Sequence, residues 1–378
     1  MSKCAIFKAE NYSDELLFSV VKKHFEAHGI ENEIPKNGKV VLKPNLLADK
    51  ESVFSVTTNP RFVYAVIRYL KQIGVKDITV ADSPGGSALL FTQMQDLYKK
   101  CEYDFLSEYA KLNVDFDSRD VTSPDGFKNK KFNIMSVIAD ADYIINIPKL
   151  KTHNITCMTA SVKNLFGCIP GLQKPAFHAK YPNADDFSNM LIELAATVKP
   201  DFTIVDAIDI MEGNGPANGK RRHIGVTFSS KDVFILDKFI AQTVEIPLDT
   251  IKTINASDKK GFLNNTVEAI GDIDFKIDHP VVLPDPIGAK NSKNKLAGNI
   301  KLLRSKVNDT FFNIYPEMND KCVLCRKCVM TCPKQALSIE NKKVVLNKKV
   351  CIGCLCCDEC CPKGAVNIRK KFSIRKQG

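Results

Sequence analysis

Two hydrophobic periods alternate along the first 280 residues. Short, nearly continuous apolar runs recur at KVVLKPNLL (39–47), DITVADSPGGS (77–87), ADYIINIPKL (141–150), DFTIVDAIDIMEGNGP (201–216) and HIGVTFSS (223–230). Their length and continuity predict strands buried on both faces. Between them, NPRFVYAVIRYLKQIG (59–74), SALLFTQMQDLYKKC (87–101), DDFSNMLIELAATVK (185–199) and KDVFILDKFIAQTV (231–244) carry apolar residues at helical spacing. In the first of these helices Asn59 is placed to cap, Pro60 fits the first turn and Gly74 ends it. His24 and His28 read as surface positions of an earlier helix. The alternation predicts an α/β domain over residues 1–285 with a largely parallel sheet. Ligands of such sheets gather beyond the carboxyl ends of the strands.

Four polar segments fall at those ends. They contain Lys43 and Asn45; Asp82, Gly85 and Gly86; Lys149, Lys151 and His153, read as a loop; and Asn214 in a glycine-rich turn. Residues 148–178 are richest, adding Lys163 and His178. Lysines beside glycine-rich loops suit a carboxylate or phosphate. A histidine among them can act as acid or base near neutral pH. His153, Lys163 and Lys151 are therefore the expected catalytic set. Lys43, Asn45, Asp82, Gly85, Gly86, Asn214 and His178 are the expected cofactor-binding or ligand-binding set. Each has a plainer reading: Asp82 as a helix cap, the glycines as a turn, the lysines as a solvated loop. Neither G-x-G-x-x-G nor G-x-x-x-x-G-K-[ST] occurs, so nothing argues for NAD, flavin or ATP.

The pattern changes after residue 285. Residues 286–318, polar and rich in Pro and Gly, read as a linker. The last segment, 319–378, is dominated by cysteine: ten of the chain's fourteen lie between Cys322 and Cys361. Secreted disulfide scaffolds are short, so this density in a 378-residue chain points to metal or cluster ligands in a reducing compartment. Cys322, Cys325, Cys328 and Cys332 follow C-x2-C-x2-C-x3-C-P, and Cys351, Cys354, Cys357 and Cys361 repeat it 29 residues later. Three thiolates at two-residue gaps wrap one cubane, and the fourth, followed by Pro, leaves the loop for the other. The spacing thus predicts two [4Fe-4S] clusters, on Cys322, Cys325, Cys328 and Cys361 and on Cys351, Cys354, Cys357 and Cys332. Structural zinc is the competing reading. Cys356 and Cys360 have no counterpart in the first half, where Lys327 and Thr331 stand, and read as spare thiols. Between the halves, KKVVLNKK suits a hairpin arm.

Residues 319–370 resemble a bacterial two-cluster [4Fe-4S] ferredoxin, departing from it in the two extra cysteines and in their basic charge. The loops KPN, ADSPGG, PKLKTH, SVKNLFG and MEGNGP of residues 1–280 resemble the domain of unknown function 362 family, which is often fused to such a ferredoxin. That resemblance implies an α/β iron–sulfur protein without an established reaction. His153, Lys163 and His178 are laid out similarly to the nickel-pincer lactate racemase, whose lysine tethers its cofactor; the second gap differs.

Charge adds one more expectation. The chain carries 54 Lys and Arg against 43 Asp and Glu, and from Asn319 onward the balance is 14 to 4. The basic tail is expected either to offset cluster charge or to dock an acidic redox partner. No aromatic-interleaved basic motif favours nucleic acid. MSKCAIFKAE lacks the apolar core of a leader, and no apolar run is long enough to span a membrane, so the cytoplasm is expected. Together these features predict an iron–sulfur electron-transfer protein, leaning to an oxidoreductase. Single electrons would pass between the clusters and an anionic small molecule, or a cofactor, in the α/β pocket. The alternative is a ferredoxin-type carrier whose α/β domain only recognises a partner protein.

Overall fold

The computed structural model describes residues 1–85, 94–171, 173–284 and 312–372. Gly86 and most of the expected linker lie outside the described residues. Twelve strands belong to the N-terminal part: β1 Ser2–Lys8, β2 Lys39–Pro44, β3 Asp77–Val80, β4 Lys111–Leu112, β5 Ser118–Thr122, β6 Lys131–Met135, β7 Tyr143–Ile147, β8 Lys149–His153, β9 Cys157–Thr159, β10 Phe202–Glu212, β11 Lys220–Ser230 and β12 Val267–Gly271. Ten form one sheet in the order β12-β1-β11-β10-β7-β2-β3-β4, with β8 and β9 joined at β10. Neighbours from β10 to β4 are parallel; only the pairings of β11 with β1 and β10, and of β8 with β9, are antiparallel.

The strand sequences dictate this burial. Successive residues of β2 point to opposite faces. Val40 and Leu42 enter a core formed with the helices Asp14–His28 and Pro60–Gln72, whereas Val41 enters the core formed with the helix Ala184–Val198. Asn59 caps Pro60–Gln72 as expected, its side chain accepting from the amide of Arg61. Asn183 does the same for Ala184–Val198.

Two expectations are corrected. His24 is fully buried, its ring nitrogens 2.7 Å from the hydroxyls of Ser229 and Thr227, and His28 also reaches Ser229. The cause is packing of their helix across β11, whose inward hydroxyls need polar partners. Residues 149–153 are a strand, not a loop. After Pro148 the chain re-enters the sheet as β8, parallel to β10 and antiparallel to β9, with every residue buried. Sheet pairing satisfies backbone groups that a buried loop would leave orphaned.

The C-terminal part contains β13 Phe312–Met318, β14 Leu337–Glu340, β15 Lys343–Leu346 and β16 Val366–Phe372. β13 pairs with β16 and β14 with β15, both antiparallel. Residues 312–318, read from sequence as linker, are thus a strand of the cysteine-rich domain. The duplication is visible in the backbone. Left-handed residues recur 29 positions apart, at Leu324 and Gly353, Arg326 and Leu355, and Gln335 and Gly364. Two short helices, Lys327–Thr331 and Cys356–Glu359, carry the third cysteine of each motif.

Candidate functional site: a cationic cavity between the two domains

A cleft of about 900 Å³, its open mouth included, lies beyond the ends of β2, β3 and β8. One wall comes from the cysteine-rich domain, through Lys327, Thr331, Cys356, Glu359 and Cys360. The sequence-expected residues Asn45, Asp82, Gly85, Lys151, His153, Lys163 and His178 all line it. Lys43 stands behind Asp82. Asn214 is exposed and outside the lining; Pro216, two residues on, takes that position. Sequence reasoning missed Ser83, Asn164, Lys174 and Glu359. Lys174 had a signal, falling in the same basic segment, but Glu359 comes from a distant motif and had none.

The cations are held in different ways. Lys43 pairs with Asp82 at 2.6 Å, both buried, and Asp82 also accepts from the amide of Leu46. Lys151 donates to Asn45 Oδ1 (2.6 Å) and Val56 O (2.7 Å), and burial lowers its pKa well below the ordinary value. Lys174 donates to Ser83 Oγ (2.6 Å) and to the carbonyls of Ser83 and Pro84 (2.9 Å each); burial lowers its pKa to about 7. Lys163 has no hydrogen-bond acceptor among the described residues. Its ammonium lies 5.7 Å from the ring centroid of Phe166 and 6.0 Å from that of Phe187, and burial lowers its pKa too. The turn Ser161–Asn164 presents it, and Asp237 anchors that turn by accepting from the amides of Ser161 (2.7 Å) and Val162 (3.2 Å).

Burial favours the neutral form of both histidines. Burial lowers both to about 4, and His178 stacks on Phe187 with centroids 4.3 Å apart. His153 Nδ1 accepts from the amides of Ile155 (3.0 Å) and Thr156 (3.4 Å), which forces the ring proton onto Nε2. Nε2 faces Glu359 Oε1 at 3.2 Å, but the geometry is not that of an aligned hydrogen bond. Burial alone would raise the Glu359 carboxyl; the facing His153 and the charge of Lys163 hold it well below the usual carboxylate range. Among the described residues, four buried polar atoms of the lining lack a hydrogen-bond partner: His153 Nε2, Thr159 Oγ1, Thr331 Oγ1 and Glu359 Oε1. Such atoms are rare in folded proteins and gather where a ligand or water completes them.

The cysteines surround two smaller cavities. One, of about 360 Å³, is lined by Cys322, Cys325, Cys328 and Cys361; the other, of about 330 Å³, by Cys332, Cys351, Cys354 and Cys357. The amide of Ala336 points at Cys332 Sγ and that of Ala365 at Cys361 Sγ, each at 3.2 Å, as suits a cluster thiolate. Among the described residues no group of three or more His, Cys, Asp or Glu closes on a point as a lone ion requires. A cubane is wider and takes thiolates set around a cavity, so this donor set fits it. Of the thiols without a counterpart in the repeat, Cys360 lines the large cleft, and Cys356 lines both that cleft and the cavity of Cys332, Cys351, Cys354 and Cys357.

An α/β sheet domain whose cleft is closed by an iron–sulfur domain is the class that these features define. Residues 40–242 match the family described as Domain of unknown function (DUF362), and residues 315–338 match the 4Fe-4S binding domain; the chain belongs to the DUF362 family. The second cysteine motif lies outside the 4Fe-4S match. The chain therefore has the capacity for iron–sulfur electron transfer. The thylakoid-associated protein sll1697 of Synechocystis sp. is 32% identical over 280 residues, 73% of this chain and 84% of that relative. The lactate racemase apoprotein of Thermoanaerobacterium thermosaccharolyticum superposes with a TM-score of 0.41 at 15% identity, over 63% of this chain and 57% of the racemase. Among the described residues no helix is long and apolar enough to cross a membrane.

Proposed function

We propose that this chain is an iron–sulfur oxidoreductase that acts on an anionic small molecule in the cleft between its domains. The observation that carries this is the shared wall. The cluster-binding motifs themselves, through Lys327, Thr331, Cys356, Glu359 and Cys360, close the cationic cleft of the α/β domain. Two [4Fe-4S] clusters, one on each four-cysteine set, would supply single electrons at that wall.

The chain's own residues do the rest. Lys151, Lys163 and Lys174 line the cleft, and because burial lowers the pKa of each, an entering anion would stabilise their charged forms. Phe166, Leu47 and Pro175 exclude water from one side. His153, with its proton fixed on Nε2, acts as a neutral hydrogen-bond donor rather than as an acid or base. The cysteine-rich domain exposes Cys325, Val323, Lys321 and Arg326, basic residues next to an apolar one that suit an acidic redox partner.

The test is reoxidation. Protein purified without oxygen and reduced chemically is mixed with fractionated small anions, and the reduced-cluster EPR signal is followed. Loss of signal in wild type, slowed at least tenfold in Lys163→Met, is the expected result. Reduced protein that no small molecule oxidises, but that a partner protein oxidises rapidly, would make the chain a carrier.

A further inference from the structure

The anion that best fits the cleft is already represented inside it. Glu359 reaches from the cysteine-rich domain into the α/β cleft, where its Oε1 lies 3.2 Å from His153 Nε2. Neither atom makes an aligned hydrogen bond, although both are buried. Lys163 lines the same cleft with its ammonium over the rings of Phe166 and Phe187 and, among the described residues, has no acceptor of its own. An imidazole N–H thus faces the Glu359 carboxylate, and an ammonium without an acceptor lines the same cleft.

We propose that this place is a carboxylate-binding subsite, bounded by His153 Nε2 and Lys163 Nζ, and that Glu359 is its internal stand-in. A substrate carboxylate displaces the Glu359 side chain and takes aligned hydrogen bonds from both donors. Carboxylate is favoured over phosphate by the donor set. Two donors match two oxygens, whereas among the described residues no arginine lines the cleft and its walls include apolar Phe166, Leu47 and Pro175. The neighbouring Thr331 hydroxyl, also buried and unpartnered, is placed to receive a further polar group of the ligand. Because Glu359 belongs to the wall that carries the cluster cysteines, occupancy of the subsite is coupled to the fit of that domain over the cleft.

This inference rests on the reading of the cleft as an anion site, but its test needs no electron transfer. [13C]Acetate is titrated by NMR into the oxidised, cluster-loaded full chain. Glu359→Gln keeps the shape of the side chain and removes its charge, so it is expected to bind acetate at least tenfold more tightly than wild type. Adding Lys163→Met to Glu359→Gln is expected to abolish that gain. Glu359→Ala provides a second removal, and iron content near wild type shows that each variant is folded. Equal acetate affinity in wild type and both Glu359 variants would overturn the stand-in. Inorganic phosphate binding Glu359→Gln more tightly than acetate would overturn the carboxylate assignment. Failure of the reoxidation experiment with this binding intact would remove the redox reading alone.

Discussion

Gly167 is where the floor of the cleft has least room. A Cβ there would overlap Asp82 Oδ1 and lie 2.7 Å from Lys43 Nζ, the two atoms of a wholly buried ion pair. Gly167→Ala is therefore expected to split that pair and destabilise the protein by about 3 kcal/mol, read as a lower urea midpoint at unchanged slope. Lys174 has a pH signature instead. Burial lowers its folded pKa from 10.5 to about 7. Between those values the unfolded chain binds more protons, so this residue makes stability rise with pH across that window. Urea titrations from pH 7 to pH 10 are expected to show a steeper rise in wild type than in Lys174→Met. Gly167 does not stand out in the sequence and Lys174 does so only as one member of a basic segment, because what singles each out is the distance to a side chain elsewhere in the chain.

At the scale of elements, short turns do the positioning. The turn Ser161–Asn164 is too brief to be stable alone and is tied down by Asp237, from the helix Val233–Thr243. Asp237→Ala leaves two buried amides unpaired and is expected to cost about 2 kcal/mol in chemical denaturation. The duplicated cysteine loops are a second case. Their left-handed residues turn each loop around a cavity, and the fourth cysteine crosses to the other one. Cys361→Ala is expected to empty the site of Cys322, Cys325 and Cys328 and spare the other, lowering iron from about eight to about four per chain. Iron lost entirely, or retained in full, would contradict the crossed assignment.

The whole molecule joins a sheet domain to a 4Fe-4S domain through polar contacts. Asn154 donates to Asp358 at 2.9 Å, and His153 faces Glu359 next to it. Cys356 and Cys360 both line the cleft at this interface, and Cys356 also borders the cavity of Cys332, Cys351, Cys354 and Cys357. Replacing both with serine is expected to leave the iron content unchanged while altering reoxidation by small anions. Iron loss in that variant would make them ligands.

Sheet order apart, much of the framework was legible in local pattern. Continuous apolar runs marked β2, β3, β7, β10 and β11, Asn59 marked a helix start, and the 29-residue repeat marked the cysteine-rich domain. These features are local because strand burial, capping and loop wrapping each depend on residues within a few positions of one another. The loops gave most of one side of the cleft for the same reason, since sheet topology places strand ends together. The strand β8, the burial of His24, the displacement of Asn214 from the cleft and the role of Glu359 were not legible. Each depends on which distant surface is packed against it, and a sequence does not state that distance. Folding alone brought Glu359 to His153, across a gap of more than 200 residues, and so made one cleft out of two domains.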